Sequence, residues 1–170
     1  FTTASDNDAT DVGDSTQARH NSCGNSSTTH AYSLGGGTGG GDSNVIDKVS
    51  FATDGNMTDV GDITVARLDV TGVTSSTHGY IMGGYTSIGA IASDIIDKHD
   101  MSSDNNSTDV GDLLAIKGDG SGASSTTFGY MLGGSAFSDV IQKVDFSSDG
   151  NSTDVANLSV GRNAGGGSQV

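Results

Sequence analysis

The tripeptide Thr-Asp-Val occurs four times, at Thr10, Thr58, Thr108 and Thr153, with spacings of 48, 50 and 45 residues. A base follows nine residues after each Thr, at Arg19, Arg67, Lys117 and Arg162. Ten residues beyond the first three bases stand Thr29, Thr77 and Thr127, each opening a stretch with Tyr at its fourth position and a Gly pair at its end. A third landmark is Val45-Ile46-Asp47-Lys48, echoed by Ile95-Ile96-Asp97-Lys98 and Val140-Ile141-Gln142-Lys143. From Asp47, Asp97 and Gln142 it is eleven residues to the next Thr every time. Length varies at one place: from the Gly pair to those residues the gaps are 11, 13 and 8. A register held everywhere but in one elastic segment is the behaviour of a folded repeat, because insertions are tolerated where backbone is exposed.

The register overrides what composition suggests. Gly, Ser and Thr fill 70 of 170 positions, all 21 acidic residues are Asp, and there is no Glu, Pro or Trp. Such a chain reads as an acidic linker when its order is ignored. It also lacks the residues that build helices, so a helix bundle is excluded. No apolar run approaches the ~20 residues of a membrane-spanning helix, and membrane insertion is not expected. A net charge of −14 repels phosphate and excludes nucleic acid as a partner. The chain begins at Phe1 without a charged-then-apolar leader, which reads as a processed or interior piece.

Each unit reads as four short strands. Val45, Asp47, Val49 and Phe51 share one face of an extended segment; Ile46, Lys48 and Ser50 share the other. Asp54-Gly55-Asn56, Asp104-Asn105-Asn106 and Asp149-Gly150-Asn151 are tight-turn chemistries, and a strand from Thr58 to Val65 follows the first of them. A Gly/Ser/Thr-rich segment leads to the Tyr strand. Four strands in 45 to 50 residues match a propeller blade. The unit resembles the kelch-type propeller repeat: a strand ending in Gly-Gly, a variable loop, a strand like Val-Ile-Asp-Lys-Val-Asp-Phe, a turn, then a strand ending in a base. It departs from that family at the fourth-strand Trp, which Thr and Val of Thr-Asp-Val-Gly-Asp replace. It also resembles a Ser/Thr/Asp-rich version found in marine viral and bacterial surface proteins.

The expected fold is therefore an all-β propeller segment. Its parts are a fourth strand in 1–19, blades at 20–67, 68–117 and 118–162, and the first strand of a further blade in 163–170. Three and a half blades are fewer than the about 4–8 that close a ring. Either the chain is an incomplete segment, or two copies together complete about seven blades.

The scarce reactive residues are mostly absorbed by the period. The seven bases occupy two repeat positions and are expected to pair with Asp14, Asp62, Asp112, Asp47 or Asp97. His30 and His78 are equivalent to Phe128, so that position accepts a plain ring; His20 and His99 are isolated. Cys23 has no partner for a disulfide and no flanking cation to activate it. Asp6-Asn7-Asp8 with Asp11, and Asp54-Gly55-Asn56 with Asp59, gather hard oxygen ligands suited to calcium, although Asp and Asn belong in such turns for backbone reasons alone. No cofactor is otherwise expected. Ser147-Ser148-Asp149-Gly150-Asn151 resembles the Asp-box turn of sialidase-type propellers, with its Gly one place early and no terminal Trp. No Gly-x-Ser-x-Gly elbow exists. Asn25, Asn56, Asn105, Asn106, Asn151 and Asn157 lie in glycosylation sequons, four of them in the repeated turns, so the repeat itself generates them.

The elastic loop remains. Tyr85, Thr86, Ile88 and Phe137 are its candidate ligand-binding residues, since loops varied on a rigid scaffold carry recognition. The expected function is a non-catalytic structural or attachment module on an extracellular, cell or virion surface, such as a fibre or filament component. Its partners would be a cell-surface glycan or protein receptor, together with further copies or the rest of its own chain. The alternative is a carbohydrate-active propeller, glycosidase- or lyase-like, with its catalytic residues outside these 170.

Overall fold

A computed structural model of the chain describes residues 10–87, 91–163 and 168–169. Among them there is no helix. The first unit contains β1 (Cys23–Ser26), β2 (His30–Leu34), β3 (Gly37–Thr38), β4 (Gly41–Asp42), β5 (Val45–Ser50) and β6 (Thr58–Asp62). The second contains β7 (Thr71–Thr74), β8 (His78–Met82), β9 (Tyr85–Thr86), β10 (Ile91–Ala92), β11 (Ile95–Asp100) and β12 (Thr108–Asp112). The third contains β13 (Ser121–Ser124), β14 (Phe128–Leu132), β15 (Val140–Asp145) and β16 (Thr153–Asn157), and β17 (Ser168–Gln169) follows.

Each unit forms one antiparallel sheet, ordered β1-β2-β5-β6, β7-β8-β11-β12 and β13-β14-β15-β16. The Gly pairs reverse the chain after β2, β8 and β14 with both residues at positive φ (61° and 99°, 62° and 106°, 71° and 109°), a conformation that side-chain-bearing residues rarely adopt. The elastic segments are not bare loops in the first two units. There they fold into small hairpins, β3–β4 and β9–β10.

Two expectations about strands change. The fourth strand of the first unit ends at Asp62, not Val65, because residues 63–67 peel away as an arm. That arm bonds back to its own unit through Ile63 N–H to Asn44 O (2.7 Å) and Arg67 N–H to Ser43 O (3.3 Å). Residues 10–19 likewise carry no strand and run as the equivalent arm, while residues 1–9 lie outside the described residues. The turns after β5, β11 and β15 are longer than tight hairpins. Their Asn side chains reach out of the unit: Oδ1 of Asn56, Asn106 and Asn151 accepts the N–H of Asp14, Asp62 and Asp112, each at 3.0 Å.

The apolar core lies between sheets. One cluster joins Tyr32, Leu34, Ile46 and Ile63 of the first unit to Val70, Ile81 and Met101 of the second. The other joins Val73, Tyr80, Met82 and Ile96 of the second to Met131 and Val144 of the third. Tyr32 and Tyr80 each pack onto the end of the central strand in the following unit. Tyr32 donates its hydroxyl to Met101 O (2.9 Å), and Tyr80 stacks on Phe146 with centroids 4.8 Å apart. Phe51 stands at the equivalent place after β5 in the first unit. No described residue supplies the Tyr that would cover it, and it is 59% exposed.

The first strands of the three sheets, β1, β7 and β13, hereafter the inner strands, approach one another closely, and each carries Gly at its second position. A Cβ on Gly72 would sit 2.7 Å from Gly24 O, and one on Gly122 only 2.1 Å from Gly72 O. At Gly24 the nearest such atom is Tyr32 O, 3.6 Å away. Gly122→Ala therefore lowers stability by about 1–3 kcal/mol through overpacking, whereas Gly24→Ala stays within about 0.5 kcal/mol of the parent. Urea denaturation midpoints of the two variants check this ordering, and equal midpoints would contradict the close approach of the inner strands.

Candidate functional site

The bases and acids singled out by the period meet at the junctions between units. Two of the arms lay a hydroxyl residue and an arginine against the central strand of the next sheet. Thr64 gives its N–H (3.1 Å) and Oγ1 (2.7 Å) to the Asp97 carboxylate, and Arg67 Nη2 lies 3.0 Å from Asp97 Oδ2. The Arg67 and Asp97 side chains are both fully buried. Arg67 Nε also donates to Gly83 O at 2.7 Å. At the preceding junction Thr16 and Arg19 hold Asp47 in the same way, with Arg19 Nη2 to Asp47 Oδ2 at 2.6 Å. The third junction is neutral. Gln142 replaces the acid, and its Oε1 accepts from Leu114 N–H and Ser152 Oγ, both at 2.8 Å. Lys117 turns away to Ser138 Oγ.

Asp14, Asp62 and Asp112 are not the partners of the bases. They join units through their backbone, as described for the turn asparagines. Lys48 and Lys98 pair instead with turn acids of the next unit, Asp104 and Asp149 (2.7 Å for the latter). In the acidic turn considered for calcium, Asn56 Oδ1 accepts the N–H of Asp14 from the preceding arm, while Asp59 Oδ1 accepts the N–H of Gly61 within its own strand at 3.2 Å. Among the described residues no group of three or more His, Cys or Asp side chains is placed to hold a metal. Asp6, Asn7 and Asp8 lie outside them.

His99 is not isolated. It is 3% exposed, its Nε2 lies 3.3 Å from the Asn25 amide, and its ring meets Tyr32 edge-on at 5.1 Å. Burial pulls its pKa down to about 4, with nearby His78 adding to the effect and Asp100 opposing it. Asn25, read as a sequon, is 3% exposed and serves as packing between the first two units. Cys23 packs against the first apolar cluster, and burial pushes its thiol up to about 12. That shift favours the protonated thiol at neutral pH.

The candidate ligand residues separate. Tyr85 is half-buried, and a Cβ on Gly118 would touch its ring at 2.3 Å, so the ring seals the second unit's hairpin against the third unit. Thr86 lies beside it in β9, paired with Ile91. Ile88 lies outside the described residues. Phe137 is 71% exposed, held on two successive left-handed residues, Ala136 (φ 62°) and Phe137 itself (φ 54°). The short loop beneath it is fixed at both ends, by Ser135 N–H to Gly118 O (2.9 Å) and Arg162 N–H to Ser138 O (3.0 Å).

Two concave regions were not identified from sequence. A groove of about 410 Å³ runs along the inner strands, lined by Cys23, Gly24, Asn25, Thr71, Gly72 and Gly122 among others. Asn21, Asp69 and Asp119 stand next to its lining in sequence, all left-handed (φ 55°, 55° and 57°). Burial and the neighbouring Asp119 hold the Asp69 carboxyl above the usual carboxylate range. A second cavity of about 310 Å³ gathers Ser26, Ser27, Thr28, Thr74, Ser75, Ser76, Ser125 and Thr126. The repeated Ser/Thr turn before each Tyr strand was its visible signal.

Removing one partner of the buried pair leaves an uncompensated charge, so Asp97→Ala costs about 3–5 kcal/mol. Gln142→Ala at the neutral junction costs about 1–2 kcal/mol. Urea titrations of both variants measure the difference, and equal costs would contradict the clasp as described.

The His99 effect has a definite sign. Its folded pKa lies below the unfolded value, so the unfolded chain takes up the proton first. Stability is full above about pH 6.5 and is lost as pH falls toward about 4, by roughly 3 kcal/mol in all. His99→Val, the residue found at the equivalent Val49 and Val144, removes that slope from denaturation midpoints measured between these pH values.

No family model matches this chain, and no curated protein matches it. Among solved structures it is similar to one titled "Structure of YjhT", with TM-score 0.69 and 11% sequence identity over 83% of this chain. The match takes in 53% of the other chain, so this chain spans about half the length of that relative. At that identity the likeness is one of fold alone, an all-β chain of four-stranded antiparallel sheets.

Proposed function

We propose that these residues form part of a kelch-like β-propeller that serves as a non-catalytic attachment or display module on an extracellular, cell or virion surface. The observation that carries this reading is where the chemistry-bearing side chains sit. Arg19, Arg67, Asp47 and Asp97 are buried in junctions, Lys48 and Lys98 bridge to the next turn, and His99 and Cys23 pack in the interior. Groups that elsewhere act as nucleophile, base or oxyanion donor here hold sheets together. What differs from unit to unit, on a fixed frame, is the segment after the Gly pair, and recognition belongs to such segments.

Phe137 is the recognition residue on this reading. An exposed aromatic on a loop fixed by hydrogen bonds loses little conformational entropy on binding, which favours it as an anchor. The partner class is a cell-surface glycan, with the Phe137 ring as stacking platform, or a protein receptor. A glycan array probed with the full chain tests the reading. Binding without turnover is expected, weakened about tenfold or more by Phe137→Ala (~1.4 kcal/mol). Tyr85→Ala lowers stability as well, because its ring is packed. Release of reducing sugar from a polysaccharide would replace this reading with the enzymatic one.

A further inference from the structure

We infer that Ser159 and Arg162 form a carboxylate-binding pair whose occupant is an aspartate on a strand of another unit of the same repeat. The argument rests on how the three described junctions vary. Where the arm offers a hydroxyl and a guanidinium, the facing residue is an acid: Thr16 and Arg19 with Asp47, Thr64 and Arg67 with Asp97. Where the arm offers Leu114 and Lys117, the facing residue is neutral Gln142. Hydroxyl, guanidinium and carboxylate occur together or are lost together. The fourth arm keeps both donors, as Ser159 and Arg162.

The fourth arm is also held in the frame of a working one. Leu158 N–H donates to Asp139 O (2.6 Å), Arg162 N–H to Ser138 O (3.0 Å), and Gly134 N–H to Arg162 O (2.9 Å). These repeat the bonds of Ile63, Arg67 and Gly36 in the first unit, at 2.7, 3.3 and 2.9 Å. Yet Arg67 is fully buried while Arg162 is exposed, and among the described residues no carboxylate pairs with Arg162. Its Nε bonds only a carbonyl of its own arm, Val160 O, at 3.4 Å.

The neighbouring strand identifies the occupant as a repeat unit. Ser168 and Gln169 pair in parallel with Ala123 and Ser124. Ser168 lies six residues beyond Arg162, and Ala123 six beyond Lys117, so equivalent positions stand side by side. An inner strand is thus in place next to the arm, where β7 and β13 stand at the earlier junctions. The outer rim differs. Ala156 occupies the position of Gly61 and Gly111, where a Cβ would lie 2.4 Å from the next unit's turn. The incoming unit's turn sits further out here, and its inner and central strands carry the contact.

The test is a ¹H–¹⁵N titration of the full chain with a peptide of residues 44–51, which carries Asp47 on its strand. The Asp47→Asn form of the peptide and sodium acetate, at matched ionic strength, are the comparisons. The Ser159 amide and Arg162 Nε–H resonances are expected to shift saturably with the Asp peptide, at least tenfold more tightly than with acetate. The Asn form should leave them unmoved. Arg162→Ala removes the response without changing the denaturation midpoint, since the side chain is exposed, and Arg162→Lys weakens it. Equal responses to the Asp and Asn peptides, or no response at all, overturn the proposal. Acetate matching the Asp peptide also overturns it, because the site would then take a free carboxylate and not a strand.

Discussion

The buried ion pair between successive sheets is the constraint on which the rest depends. Taking a guanidinium and a carboxylate out of water costs several kcal/mol per ion, offset only when geometry and further hydrogen bonds satisfy both. At the Arg67–Asp97 junction that condition is met by parts drawn from two units. The arm of the first supplies Thr64 and Arg67, and the second supplies Asp97 and the carbonyls of Gly83 and Ile81. Neither sheet alone can solvate its half of the pair. The units therefore stand or fall together, and the fixed nine-residue spacing from Thr-Asp-Val to the base follows from the length of arm needed to cross the junction.

The same requirement explains how so acidic a chain packs. With 21 Asp, burying any one unpaired would shift its pKa or expel it. The central-strand acids that are fully buried, Asp47 and Asp97, are those with an arginine and a threonine directed at them. At the third junction the whole set changes character. Gln142 accepts two hydrogen bonds but leaves its Nε2 without a partner, and Lys117 finds a hydroxyl elsewhere. An acid retained there, facing Leu114 and a lysine that points away, would be a buried unpaired charge. The coordinated replacement is what electrostatics requires.

Much of this was legible in residue order, and the part that was not has a physical cause. The repeated strands, the reversal at the Gly pair and the central strand follow from register and residue type, and register narrows the partners of the bases to five acids, of which Asp47 and Asp97 meet the arginines. Periodicity assigns a side chain to one face of its strand, but it does not say which neighbouring sheet covers that face. Phe51 and Phe146 share a repeat position, yet one is exposed and the other stacks on Tyr80, because coverage comes from the preceding unit. His99 looked solitary because its partners, Asn25 and Tyr32, lie some seventy residues earlier. Sequence makes Tyr85 a candidate ligand residue of the elastic loop, but nothing in it places Gly118 against the ring.

These misreadings bear on where recognition resides. A side chain conspicuous in sequence is most often used between units in this chain, so conspicuousness is a poor guide to binding. A better one is cost without local return. Left-handed backbone at a non-Gly residue costs of order 1–3 kcal/mol and persists where the surroundings over-determine it. Asn21, Asp69 and Asp119 adopt it with a visible structural return, since the N–H of Asp69 and of Asp119 bonds the carbonyl of the preceding member. Ala136 and Phe137 adopt it in succession, on a loop tied to Gly118 and Arg162, and the result is an aromatic ring turned out to water. The left-handed pair lets the turn close through Ser138 N–H to Gly134 O at 3.1 Å, but the ring itself buries nothing, and on the proposed reading it is the part left for a partner to cover.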